Sequence, residues 1–427
     1  MTPAWRRDRK KKGDGVVGVA PDARILNVKV GSADGGVDVT QVVAAVDWVV
    51  QHRRDNGMNV RVINLSYGTH SRLSYTSDPL AHAVDNAWRA GIVVVAAGGN
   101  DGTEASLTMP AADPQVLSVG AVDHRGTAGA ADDGVAGFSN VGSPDRHLNV
   151  VAPGKSVVSL RLPGSYADRG HPEGLVPGEV SGRLFRGSGS SQAAAVVSGA
   201  AALLLQQRPR LTPNQVKWIL GRSARALPGA AGRTATYDVL DLTSALRTAT
   251  PSSATAAQDA AATRGDGALD LARGDGRIVD PDNGVALAGD VDALGTPWNG
   301  AHWAAASTAR ASWTGGTWNA RSWSGDGWTA PSWAGPAWDA AAWTGVSWSG
   351  ADWASRRWSS DAWVSRRWSG EDWASRRWSG EDWASRRWSG EDWASRRWSG
   401  DGWSSRRWRA TTGPSAAAAG DAARRAR

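Results

Sequence analysis

From residue 16 to residue 246, short runs rich in β-branched residues alternate with segments of helical period, and this alternation limits the chain to very few folds. Ile92–Ala97 is apolar on every side, so both of its faces need cover. A parallel sheet between helices supplies that cover. Strands are expected at Ile25–Val30, Val60–Leu65, Ile92–Ala97, Val116–Val122 and Leu148–Ala152. Asp38 is placed to cap a helix whose apolar positions Val42, Val46, Val49 and Val50 fall at helical spacing. Further helices are expected at His82–Ala90, after the Ser190–Ser191 turn, and after Thr212–Pro213. A Gly/Pro-rich insertion precedes the Ser191 helix, and the Asp238–Leu246 segment closes the domain.

The chain has 427 residues, a formal net charge of +7 and no cysteine. Disulfides and thiolate–metal sites are therefore excluded. Arg6, Arg7, Arg9 and Lys10–Lys12 form a basic opening run, read as a solvated segment rather than a nucleic-acid patch. No apolar run approaches the roughly 20 residues of a membrane span. The N-terminus lacks the apolar region of a signal peptide.

Residues 187–205 run from a Gly/Ser turn into a small-residue apolar helix with Ser191 in its first turn. Unpaired N–H groups and the positive dipole end favour an oxyanion beside that hydroxyl. Alone, the pattern is equally compatible with plain architecture. Asn100, in a Gly-Asn-Asp-Gly loop, is by itself equally compatible with a turn residue.

Four segments in order resemble the subtilisin-like serine proteases: Gly18–Val30, Val62–Gly68, Val93–Asn100 and Gly189–Gly199. The resemblance implies a three-layer α/β fold, with a mostly parallel sheet between helices. It implies Ser191 as nucleophile and, through its own N–H, as one oxyanion donor, with the Asn100 side-chain amide as the second. Removing one such donor costs about 100–1000-fold in rate. Ser66, Tyr67 and Gly68 would pair with an extended peptide as an added strand. Gly35 and Gly36 would form the opposing edge, and Ala97 and Gly98 would wall the pocket before the scissile bond. The nucleophile motif departs from the family pattern at Ser190, where Thr is usual, and at Ala195-Val196, where Pro-His is usual. Polypeptides are the implied substrates. No cofactor is evident; calcium is expected only by resemblance. Secretion or cell-wall association is implied in the same way.

The family's catalytic Asp and His motifs both precede the segment that matches Gly18–Val30, and the 17 residues before Gly18 contain neither. His52, His70, His82, His124, His147, His171 and His302 all lie outside the required context. Losing the base costs on the order of a millionfold in turnover, a figure obtained on subtilisin itself. A mis-set start, a degraded copy and a true pseudoenzyme all account for this. We take the first, since Gly13–Val17 runs into the motif as if in mid-domain. The chain is then expected to be inactive as written, with a non-catalytic binding protein as the alternative.

The expected organisation is a disordered basic segment over 1–15, a partial peptidase domain over 16–246 and a flexible linker over 247–297. A tryptophan repeat region over 298–410 and a disordered tail over 411–427 follow. In the repeat region Trp recurs every five residues from Trp298 to Trp408, missing one beat at Thr308. A period of five fits neither a helix stripe nor a strand face. The readings left open are a sticky appendage for cell-wall polymer or glycan, a solenoid, and a low-complexity tail expanded by repeat slippage. Nucleic acid is not expected, because Glu-Asp pairs are interleaved with the arginines.

Overall fold

The computed structural model describes residues 17–30, 37–127, 130–176, 182–227, 238–279, 286–293 and 295–322, and short strands at 375–376, 388–389 and 409–411. The chain divides into two compact units. One holds Thr2–Arg24 and His52–Gly265; the other holds Ile25–Gln51 and Asp266–Gly413.

The labelled helices are α1 (Val39–His52), α2 (Pro79–Arg89), α3 (Ser190–Gln207), α4 (Pro213–Arg222) and α5 (Gly300–Thr308). The labelled strands are β1 (Val62–Leu65), β2 (Val93–Ala97), β3 (Leu117–Asp123), β4 (Val150–Pro153), β5 (Arg225–Ala226) and β6 (Asp238–Val239). All six strands form one sheet of the His52–Gly265 unit in the order β1-β2-β3-β4-β6-β5. Every pairing along it is parallel except that of β5 with β6. Gly134–Val135 adds an antiparallel pair at the end of β3.

The apolar character of β2 dictates its central place. All five of its residues are buried, and α2 and α3 both pack on it. Each fully buried valine there contributes about 1.5–3 kcal/mol. α3 reaches β1, β2, β3 and β4 because the side it turns inward is small: Ala193, Ala194, Val197, Ala200 and Ala201 are completely buried. Asp78 starts α2 by accepting from Leu80 N at 2.8 Å and Ala81 N at 3.0 Å, with Pro79 at the first helical position. Thr212 and Gln215 close a capping box on α4. Strands β1, β2, β3 and β4 and helices α2, α3 and α4 lie where the sequence patterns put them.

Two expectations are corrected. Ile25–Val30 forms no strand, and Ile25 is 71% exposed. An apolar alternation supplies half a ladder, and no described strand supplies the other half. The second correction concerns the expected flexible linker over 247–297. It contains a helical turn at Leu269–Arg273, a strand at Arg277–Val279 that pairs antiparallel with Arg409–Thr411, and a buried cluster of Ile278, Leu287 and Ala293. Composition hid this order because it rests on polar contacts. Arg273 is completely buried, bonds Asp38 Oδ2 at 2.5 Å and Gly289 O at 2.8 Å, and also donates to Val291 O. Asp38 in turn accepts from Thr40 N at 3.0 Å, so one carboxylate both caps α1 and neutralises the arginine.

The first beats of the tryptophan array belong to this second unit and are folded. Trp303, Trp313 and Trp318 are buried. Trp313–Thr314, Thr317–Trp318 and Arg321–Ser322 make a meander of two-residue strands, with Trp313 directly opposite Trp318. Its turns, Gly315-Gly316 and Asn319-Ala320, all have positive φ, as two-residue hairpin turns of the primed type require. Asp47 of α1, itself buried, accepts from Trp303 Nε1 at 2.8 Å, Trp318 Nε1 at 3.0 Å and Ser307 Oγ at 2.6 Å. The remaining decamers lie outside the described residues, apart from the short strands Ser375–Arg376 and Trp388–Ser389.

Candidate active site

Parallel pairing of Leu65 with Ala96 makes the chain leave β1 and β2 side by side at their carboxyl ends. Open α/β sheets bind ligands outside those ends. Ser66–Gly68 follows β1, and Gly98–Asn100 follows β2. Thr69 and Met109 exchange both backbone hydrogen bonds at 2.9 Å just beyond the first segment. Gly68 needs to be glycine, because a Cβ there would lie 2.2 Å from Thr108 Oγ1.

The N-terminus of α3 meets both segments. Ser66 Oγ donates to Ser191 O at 3.1 Å. Asn100 Oδ1 accepts from Ser190 N at 2.8 Å, and Gly99 N donates to Ser190 Oγ at 3.3 Å. The contact with an N–H identifies the bonded end of the Asn100 amide as its oxygen, leaving the NH₂ end pointing away from it. Among the described residues, neither that NH₂ nor the Ser191 N–H has a protein acceptor. Ser191 is half-buried and Asn100 exposed. The structure thus brings together Ser191, Asn100, Ser66 and the chain that passes through Tyr67, Gly68, Ala97 and Gly98. Gly35 and Gly36 lie outside the described residues.

Four of the histidines, His70, His82, His124 and His171, are engaged elsewhere. His70 Nε2 bonds Asp101 Oδ2 at 3.0 Å. His82 is buried against Thr263. His124 Nδ1 accepts from Gly126 N, and His171 pairs with Glu173. Among the described residues, no histidine or carboxylate bonds Ser191. Burial alone would raise the Asp101 carboxyl, but hydrogen bonds from His70 and Asn140, and the charge on His70, hold it below its ordinary value. Among the described residues, no three His, Cys, Asp or Glu side chains gather into a metal-binding group.

Several residues escaped the motif reading. Ser198, where the family motif usually has Ala, donates to Asn64 Oδ1 at 3.0 Å; Asn64 Nδ2 donates to Ser66 Oγ at 3.0 Å. A polar chain thereby ties β1 to the Ser191 turn. Gln192, where Met is usual, packs against Gly187 and Gly189, and its buried Oε1 has no partner among the described residues. Comparison of the motif at those two positions would have flagged both. Asn140 carried no local signal at all.

The structure thus sets a serine at a helix N-terminus beside an asparagine amide, at the carboxyl edge of a parallel sheet. The chain belongs to the Subtilase family, whose profile matches residues 8–268. It is 37% identical over 211 residues to serine protease AprX of Bacillus subtilis (strain 168), covering 48% of this chain and 47% of that protein. It is 35% identical over 216 residues to subtilisin DY of Bacillus licheniformis, covering 50% of this chain and 65% of that one. Among solved structures it is similar to fervidolysin from Fervidobacterium pennivorans, described as a keratinolytic enzyme related to subtilisin. There the identity is 31% and the TM-score 0.45, over 56% of this chain and 34% of that one. The chain spans less than two thirds of each of these proteins.

Proposed function

We propose that the chain carries the nucleophile and oxyanion half of a subtilisin-like serine endopeptidase. Ser191 Oγ attacks the scissile carbonyl, giving its proton to a base, and the acyl-enzyme forms as the C–N bond breaks and the amine leaves. No described histidine or carboxylate bonds Ser191, so this chain is expected not to complete the step. The Ser191 N–H and Asn100 Nδ2 receive the charge that develops on the carbonyl oxygen. The polypeptide pairs as an added strand with Ser66–Gly68, and Ala97 and Gly98 wall the pocket for the residue before the scissile bond. The supporting observation is the pair of unspent donors, held in place by the bond between Ser190 and Asn100. Secretion, and contact with cell-wall polymer through the later tryptophan repeats, are the corresponding readings of location and partner.

A second reading is favoured because no histidine or carboxylate bonds Ser191 among the described residues: a subtilase scaffold that binds peptides without cleaving them. A fluorophosphonate probe separates the two. The 427-residue chain is expected not to label, and labelling lost in Ser191→Ala would show that a base reaches the serine. Extended peptides are expected to bind Ser191→Ala and the parent chain equally by fluorescence anisotropy. Failure of both to bind would sink the groove.

A further inference from the structure

Asn140 is completely buried in the turn that follows Gly134–Val135, forty residues from Asn100, yet its bonds converge on the two neighbours of Asn100. Its backbone N–H donates to Gly99 O at 3.2 Å. Its Oδ1 accepts from Asp101 N at 2.5 Å, and its Nδ2 donates to Asp101 Oδ2 at 2.9 Å and to Ser106 O at 2.7 Å. Both side-chain donors and the acceptor are therefore occupied. Gly99, at φ +120°, presses directly on this side chain: a Cβ there would lie 2.4 Å from Asn140 Nδ2. Gly102 N to Phe138 O, at 2.9 Å, extends the same seam.

We propose that Asn140 is a positioning residue for the oxyanion donor. It clamps the backbone on both sides of Asn100, so that the side chain fixed at Ser190 presents its NH₂ to the reacting carbonyl oxygen. The proposal rests on the reading of Asn100 given above. Its physical basis is that an oxyanion donor works only within about 0.5 Å of its place, and a 1 Å displacement costs about 100-fold. Asn140 touches no reacting atom; its effect passes through Gly99 and Asp101.

The test uses Asn140→Asp, which keeps the shape and the acceptor but sets an oxygen against Asp101 Oδ2 and Ser106 O. The swap Asn140→Asp with Asp101→Asn restores a donor between the two side chains. Where the full chain turns over a peptide anilide at a measurable rate, Asn140→Asp is expected to lower kcat about 10–100-fold with KM unchanged. The swap is expected to recover most of this. In an Asn100→Ala background, Asn140→Asp is expected to cost nothing further, because the donor it positions is gone. The side-chain ¹⁵N resonance of Asn100 is expected to move in Asn140→Asp and return in the swap. An equal loss in the Asn100→Ala background, or an unmoved Asn100 resonance, overturns the proposal. Where turnover lies below detection the resonance alone decides. An Asn100→Ala chain as fast as the parent would instead overturn the donor reading itself, and the clamp with it.

Discussion

Asp85 and Asp113 meet inside the sheet unit, 2% and 0% exposed, each with one carboxyl oxygen that lacks a partner among the described residues. Thr263 Oγ1, at 2.8 Å, and Arg89 Nη2, at 3.2 Å, occupy the other oxygen of Asp85; Gln115 N, at 2.8 Å, occupies that of Asp113. A proton shared between the two free oxygens satisfies both. Burial, and then the charge of Asp85, push the Asp113 carboxyl well above its usual range, while Arg146 pulls it only partly back. The folded state therefore holds a proton that the unfolded chain has released, and this contribution is present in acid and lost as pH rises through the folded value. Thermal melts are expected to show Asp113→Asn flattening the fall in stability as pH rises above the ordinary carboxyl range, since its NH₂ takes the place of the shared proton. A slope equal to that of the parent would count against the shared proton. Residues of this kind explain what was legible and what was not. Ser191 and Asn100 stand inside short motifs that a linear reading detects. Asn140, Arg273 and Asp113 matter only because the topology brings distant carbonyls, amides and carboxyls to them.

At the scale of elements, legibility followed local chemistry. α4 announced itself by Thr212-Pro213, and the structure adds a reciprocal cap with Gln215: Thr212 Oγ1 accepts from Gln215 N at 3.2 Å and Gln215 Oε1 from Thr212 N at 3.0 Å. Thr212→Ala is expected to cost about 1 kcal/mol in a urea titration. A change under a few tenths would mean that packing of Val216, Ile219 and Leu220 alone holds the helix. β2 and β3 were legible for the opposite reason, a run with no polar face. Ile25–Val30, where Asn27 and Lys29 interrupt the apolar residues, joins no described strand, because an isolated run cannot show whether a neighbour will present its ladder. The Arg277–Val279 strand went unread because its partner, Arg409–Thr411, lies far along the chain.

At the scale of the whole molecule, two units should report separately on unfolding. Asp47→Ala is expected to leave two indole donors and one hydroxyl donor buried without an acceptor, at about 1–3 kcal/mol each. Tryptophan fluorescence in a denaturant series is expected to show one transition moved to lower denaturant while the sheet unit, followed by hydrogen exchange of β2 and β3, is unchanged. A shift of both together would mean that the units unfold as one. The tryptophan period itself misled the linear reading. Its unit is not one strand face but a two-residue strand and a two-residue turn, a four-residue advance against a five-residue beat. The early indoles therefore do not all share one environment. Trp303 and Trp318 reach a carboxylate, whereas Trp313 donates to Ala44 O at 2.8 Å.

The meander ending at Ser322 and the strand Arg409–Thr411 both join the second unit, so the near-identical decamers lie between two fixed anchors of that unit. The diverged early beats are under the discipline of packing: exchange of Trp303 or Trp318 forfeits a buried bond to Asp47, so the fold itself limits what can stand at those positions.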